Sequence, residues 1–204
     1  MKRTLLGVVT VGLAIAALLA TQATLDGAEA AKKAELGAPA PDFELKDVYG
    51  KVFRLADFKG KIVVLEWINQ ECPVSKGKHE NGTMQKTYKQ FAVRDVVWLA
   101  IDSTFRNANE KERTPEQNRV YAAQMGLAYP ILHDADGKVG RAYGAKTTPH
   151  MFVIDKKGSL VYDGAIDDRG DKNYVGAAIE SVLAGKPVEE AKTTPYGCSV
   201  KYRM

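Results

Sequence analysis

Residues 62–73 read IVVLEWINQECP, and the fold follows from this stretch. Residues 62–68 form an almost unbroken apolar run after Lys59-Gly60-Lys61, which predicts a central strand buried on both faces. The polar loop Asn69-Gln70-Glu71 comes next, then Cys72, then Pro73, a residue favoured at the first position of a helix. The thiol therefore falls at the carboxyl edge of a strand, beside backbone N–H groups that a helix start leaves unpaired. Those dipoles stabilise thiolate over thiol, and the thiolate is the nucleophile. Glu71, one residue away, and the glycines that shorten the helix work against a large effect. A cysteine packed as a small hydrophobe belongs inside an apolar run. This one lies in a polar loop, which favours a reactive thiol.

A second apolar run, VVWLAI, occupies 96–101. Between the two runs Met84, Tyr88 and Phe91 recur at i, i+4 and i+7, a helical spacing. Gly77 and Asn81-Gly82 weaken its beginning, so the first turn after Cys72 is separate or irregular. Strand, helix and strand in that order predict a right-handed parallel crossover. Upstream, Phe43 and Leu45 alternate with polar residues, 47–50 (DVYG) turn, and Phe53 and Leu55 alternate again, as in a hairpin. Downstream, Thr114-Pro115-Glu116-Gln117 carries a capping threonine, proline at the first helical position and a glutamine three residues on. That helix runs to Met125 and stops at Gly126. A short strand at 129–132 and a short helix at 137–143 follow. Segments 150–154 and 160–162 flank 155–158 (DKKG), an antiparallel hairpin. Asn173 caps a last helix with Val175, Ala178, Ile179 and Val182 on one face. The expected class is α/β, a thioredoxin-like fold with a central mixed sheet, an extra N-terminal β-hairpin and a C-terminal tail.

Three segments are expected along the 204 residues. Lys2 and Arg3, an apolar run from 5 to 20 and Ala28-Glu29-Ala30 make residues 1–30 a secretory signal cleaved near Ala30. The run is shorter than the roughly 20 residues of a spanning helix, so no stable membrane span is expected after its removal. Residues 31–185 form the redoxin domain, and 186–204 a tail carrying Cys198. The net charge of +4 survives loss of the signal, because Lys2, Arg3, Asp26 and Glu29 leave together. No block of Lys or Arg stands out, which argues against nucleic acid. A core of this size folds without staples, so two cysteines in an oxidising compartment are not there for bulk stability alone.

The front hairpin with 57–61 (DFKGK), the strand leading to Trp67, Cys72, and Thr148-Pro149 before a strand resemble the peroxiredoxin and thioredoxin-like superfamily. The nearest likeness is to its redoxin (AhpC-TSA-like) proteins, visible in 66–69 (EWIN), 71–73 (ECP), 147–151 (TTPHM), 164–168 (GAIDD) and 197–202 (GCSVKY). The resemblance covers 38–202. It implies that Pro149 is cis and faces the thiol, with Thr148 just before it. Thr148, Pro149 and Trp67 are the candidate substrate-groove residues, although Trp67, like Trp98, sits on a strand and reads as core rather than as a cofactor box. The sequence also departs from it. Ser75 stands where thioredoxins have their second cysteine, and the Pro and Thr that precede a peroxidatic cysteine are missing before Cys72.

Cys198 lies 126 residues beyond Cys72, on a tail long enough to return to it. It is a resolving thiol for a mixed disulfide or sulfenic acid, a static clamp worth about 5 kcal/mol, or unpaired. Glu71, Ser75 and His150 are candidate modulators of the thiol, with a strand residue pointing away as the plain alternative for His150. His79 is expected to be exposed, His133 to begin a polar turn, and the charged residues of 106–119 to form a solvated face. Asp167-Asp168 is expected as a helix-approach loop or a surface cap. Cys72 with His79, Met84 or His150 lacks any metal-ligand spacing, so neither metal nor cofactor is expected. The leading expectation is an exported thiol–disulfide oxidoreductase using Cys72 and Cys198, with protein thiols or disulfides as partners and an electron donor that no motif identifies. The alternatives are a peroxide reductase using Cys72, and a metal- or partner-binding module with a structural Cys72–Cys198 disulfide.

Overall fold

A computed structural model describes residues 33–105 and 113–203, so segment 1–30, expected to be a secretory signal, lies outside the described residues. The elements run β1 (Glu44–Asp47), β2 (Val52–Arg54), a 3-10 turn (Leu55–Phe58), β3 (Ile62–Trp67), α1 (Pro73–Glu80), α2 (Thr83–Phe91) and β4 (Val96–Asp102). They continue with α3 (Pro115–Met125), β5 (Ile131–His133), α4 (Lys138–Tyr143), β6 (Thr147–Thr148), β7 (His150–Ile154), β8 (Leu160–Gly164), α5 (Tyr174–Leu183) and β9 (Cys198–Ser199).

Strand β3 is buried at all six positions, as its apolar run requires. It pairs parallel with β4 and antiparallel with β7, from Val63 opposite Ile154 to Trp67 opposite His150. The main sheet has the order β2-β1-β5-β4-β3-β7-β8 and is mixed. The front hairpin joins it through antiparallel pairing of β1 with β5. Because side chains alternate along a strand, β3 feeds two cores. Ile62 and Val64 pack with Met84, Phe91, Trp98 and Ile179 on one face. Val63, Leu65 and Trp67 pack with Leu99, Tyr143 and Phe152 on the other.

The sequence signals at helix ends are realised as bonds. Thr114 Oγ1 accepts from the Gln117 N–H while Gln117 returns its side-chain oxygen to the Thr114 N–H. Asn173 Oδ1 accepts from the Gly176 N–H at 2.7 Å. The segment after Cys72 is a separate, regular helix, and the break falls at Gly82, which is left-handed at φ 77°. The strand expected at 129–132 lies two residues later, and His133 is its last residue rather than the start of a turn.

His79 corrects its expectation. It sits on a polar, glycine-broken stretch, yet is only 2% exposed. Its Nδ1 is 2.7 Å from the Tyr121 hydroxyl and its Nε2 2.8 Å from Glu66 Oε1, although the N–H does not point squarely along that second contact. Glu66 is the polar member of the face that also carries Ile62 and Val64. Its Oε2 accepts from Trp98 Nε1 at 2.8 Å and Tyr129 Oη at 3.1 Å. A carboxylate without water needs these partners, since an uncompensated buried charge is costly. Burial and the neighbouring Glu66 charge push the Tyr129 hydroxyl far above the ordinary tyrosine range.

Arg113, in the stretch expected to be solvated, is also buried. Among the described residues no helix is long and apolar enough to cross a membrane.

Removing His79 takes away the polar group nearest Glu66 Oε1 and leaves that oxygen buried without a neighbour. His79→Ala should therefore destabilise the fold by about 3 kcal/mol, read as a lower urea midpoint. An unchanged midpoint would mean that the pair contributes nothing.

Candidate active site

Cys72 is the N-cap residue of α1, with Pro73 at the first helical position. The loop before it is braced: Asn69 O accepts from the Cys72 N–H at 3.0 Å, and Asn69 Oδ1 accepts from the Glu71 N–H at 2.9 Å. Cys72 O in turn accepts from the Lys76 N–H at 2.9 Å, closing the first turn. The residue is 1% exposed.

Two other segments meet at this sulfur. The Thr148–Pro149 peptide is cis, and it sets the Thr148 carbonyl oxygen 3.0 Å from Cys72 Sγ. The tail completes the site. Strand β9 pairs antiparallel with β6, placing Cys198 opposite Thr148, and the Cys198 N–H donates to Cys72 Sγ at 3.3 Å. Both cysteines are free thiols in this structure. Gly197 is essential to the approach: a Cβ there would lie 2.0 Å from the Thr148 carbonyl oxygen, and its φ of 138° is one that L side chains rarely adopt.

Burial alone would push the Cys72 thiol up. Hydrogen bonds from the Cys198 thiol, the Ser75 N–H, the Thr148 hydroxyl and the Cys198 N–H outweigh it, and the thiol lies below its ordinary range. Cys198 moves the other way. Its hydrogen bond to Cys72, with burial and the Cys72 charge, pushes it up to about 11. Of the two, Cys72 is the more acidic thiol and Cys198 the one that holds its proton more tightly.

The remaining candidates fall into place around this pair. Ser75 is buried, contributing its N–H to the sulfur and its Oγ to the Asn69 N–H at 3.4 Å. Glu71, the negative neighbour, has its carboxylate 3.1 Å from Arg113 Nη2, so a cation shares its charge. Trp67 does not line a groove: it is 0% exposed, donates to Ser103 Oγ at 3.0 Å and packs on Tyr143 and Phe152. His150 points into the scaffold, with Nε2 2.7 Å from Asp163 Oδ1 and Nδ1 accepting from the Lys146 N–H at 3.1 Å. It supports the cis-proline loop and bonds to Asp163 rather than to the thiol. Asp167 is buried and not a surface cap. It takes Lys78 at 2.5 Å and the Tyr196 hydroxyl, tying the tail to α1.

Sequence reasoning missed Arg113, 3% exposed, which reaches Asn69 and Glu71 ahead of the cysteine. Its Nε is 3.6 Å from buried Asp102, whose carboxyl burial pushes up and Arg113 pulls down, burial prevailing. It also missed the tail's anchors, Thr193, Tyr196 and Tyr202. A row of hydroxyl residues in an irregular tail carries no periodicity to reveal them.

A thioredoxin-like sheet with two facing thiols at the cis-proline loop defines a thiol oxidoreductase. The chain belongs to the AhpC/TSA family, whose model matches residues 36–163. It is 30% identical over 133 residues to a thiol-disulfide oxidoreductase, ResA, of Bacillus thuringiensis subsp. konkukian, covering 65% of this chain and 70% of that protein. A crystal structure of a hypothetical protein from Sinorhizobium meliloti 1021 matches with TM-score 0.75 and 30% identity, over 84% of this chain and 97% of that one. The thioredoxin domain of a thiol-disulfide oxidoreductase from Bacteroides vulgatus shares the fold at TM-score 0.51 and 22% identity, over 63% and 87% of the two chains.

Thiolate absorbance followed against pH should rise in two separate steps, Cys72 below the ordinary thiol range and Cys198 near about 11. In Cys72→Ser the Cys198 step should move down, because the hydrogen bond and charge that raise it are gone. A single step for both thiols would refute the split.

Proposed function

We propose that the chain is an exported thiol–disulfide oxidoreductase in which Cys72 attacks and Cys198 resolves. The observation that carries this reading is the hydrogen-bonded contact between the two thiols across the cis-proline loop. With Ser75 at the position of a thioredoxin's second cysteine, the second thiol comes from the tail instead.

The Cys72 thiolate attacks one sulfur of a substrate disulfide. A Cys72–substrate disulfide forms, and the other substrate sulfur leaves as a thiolate that takes a proton from water. That step removes the negative charge from Cys72. The Cys198 hydrogen bond to the Cys72 sulfur, the main cause of the high Cys198 pKa, weakens with it. Cys198 then deprotonates more readily and attacks Cys72, forming the Cys72–Cys198 disulfide and releasing the second substrate thiol. Two electrons have passed from the protein dithiol to the substrate. An external dithiol returns them by the same exchange in reverse.

The Thr147–Thr148 edge fits an extended polypeptide, which favours protein disulfides over peroxide as substrate. The charged start, short apolar run and Ala-x-Ala of residues 1–30 support a working place outside the cytoplasm.

Cys72→Ser should lower disulfide turnover by roughly a thousandfold or more, as loss of a nucleophile does. Cys198→Ser should retain the first exchange but stall, accumulating a Cys72–substrate adduct visible by mass spectrometry of the intact protein. Turnover of hydrogen peroxide with none of a protein disulfide would replace this reading with a peroxide reductase. Full turnover by Cys198→Ser would remove Cys198 from the mechanism.

A further inference from the structure

The tail is held on both sides of Cys198. Upstream, the Asp163 N–H donates to Ala191 O at 2.9 Å and the Thr193 N–H to Asp163 O at 3.1 Å, laying the tail along β8. Thr193 Oγ1 accepts from the Ala165 N–H at 2.9 Å. Tyr196 bonds Asp167 and lies under the Arg169 guanidinium at 4.3 Å. Downstream, the Val200 N–H donates to Lys146 O at 3.0 Å, and the Phe105 N–H to Lys201 O at 2.8 Å. The Tyr202 hydroxyl donates to Ala145 O at 2.7 Å, while its ring fills the space left bare by Gly137 and Gly140.

Between these anchors, residues 197–199 cross directly over Cys72. Cys198 and Ser199 take up the strand pairing of Thr147 and Thr148, and the cysteine beneath is 1% exposed. The low-pKa thiol is thus the covered one. In this closed arrangement no polypeptide disulfide reaches Cys72, and the backbone edge that would hold an extended substrate is already filled.

We propose that residues 197–199 are an intramolecular stand-in for the substrate strand, and that a substrate is admitted only when this strap peels from the Thr147–Thr148 edge. The partner of that edge is an extended polypeptide bearing a disulfide, competing with the chain's own tail. Gly197 is the pivot. The downstream anchors at Val200, Lys201 and Tyr202 are the ones that release. The strap is a displaceable strand carrying the resolving thiol, so opening withdraws Cys198 and exposes Cys72 together. This inference rests on the reading of Cys72 as the attacking thiol.

The test measures access to Cys72 separately from catalysis. In a Cys198→Ser background, native-state alkylation of Cys72 by iodoacetamide is timed by mass spectrometry, then repeated with Gly197→Ala or Tyr202→Ala added. Alanine at 197 cannot coexist with the Thr148 carbonyl in the closed pairing, so the strap has to move. Tyr202→Ala loosens the far anchor without touching the crossing, and covers the case in which the first variant misfolds. Alkylation faster by about tenfold or more in both variants is expected, the mark of a local opening made easier. Rates equal to the parent in both would overturn the strap. Fast alkylation with no disulfide turnover by the wild-type chain would leave the strap standing and remove the thiol–disulfide reading instead.

Discussion

A thiol as deeply covered as Cys72 ought to keep its proton, because burial penalises the charged form. Its pKa is lowered instead, because donors from three separate segments converge on the sulfur: the Ser75 N–H of α1, the Thr148 hydroxyl of the cis-proline loop, and both the thiol and the N–H of Cys198. The helix start provides the first. The Cys198 donors are there because β9 lies against β6 in a register that sets Cys198 opposite Thr148. The tail's contacts with Asp163, Asp167, Lys146 and Ala145 all serve to hold that register. The two-residue ladder is short. Its importance comes from where it sits.

The scaffold beneath the site is polar in places where a packed core would normally be apolar. Glu66 stands in the middle of β3 with Trp98, Tyr129 and His79 around it. Arg113 bridges Asp102, Asn69 and Glu71 at the carboxyl ends of β3 and β4. Breaking such a group by removing one member costs more than the group gains over an apolar replacement. These clusters therefore fix the loop ahead of Cys72 in one geometry more than they add stability. Glu71 illustrates the point: its charge beside the thiol looks unfavourable in sequence, and the Arg113 guanidinium offsets it in space.

Much of this was legible in residue order. The run 62–68, the capping box at Thr114 and the cap at Asn173 are local signals, and each appears where periodicity and capping rules put it. Cys72 at the end of a buried strand was legible for the same reason. What failed depends on contacts between distant residues. His79 reads as exposed because its own helix is polar, and its partners Glu66 and Tyr121 lie on other elements. Trp67, a groove candidate that also reads as a strand residue of the core, is sent into that core with Val63 and Leu65 by the alternation along β3. The pairing of Thr148 with Cys198 spans 50 residues and two-residue strands, too short for any period to register.

Placing the second thiol on a tail has a consequence that a two-thiol helix motif does not. In such a motif the resolver is fixed one turn from the attacker and is present throughout the exchange. Here Ser75 holds that position, buried and occupied with Asn69, and in the proposed mechanism the resolver rides on the element that covers the attacker. In that proposed cycle, when the strap is off, Cys72 meets substrate without a competitor, so the mixed disulfide forms and persists. When the strap returns, Cys198 arrives opposite Thr148, displaces the substrate strand from the backbone edge and attacks the sulfur in the same motion. Release of product is thereby coupled to closure, since the strand pairing lost by the substrate is regained by the tail. The glycine at 197 is what permits that closure, because a side chain there would collide with the carbonyl that both strands share.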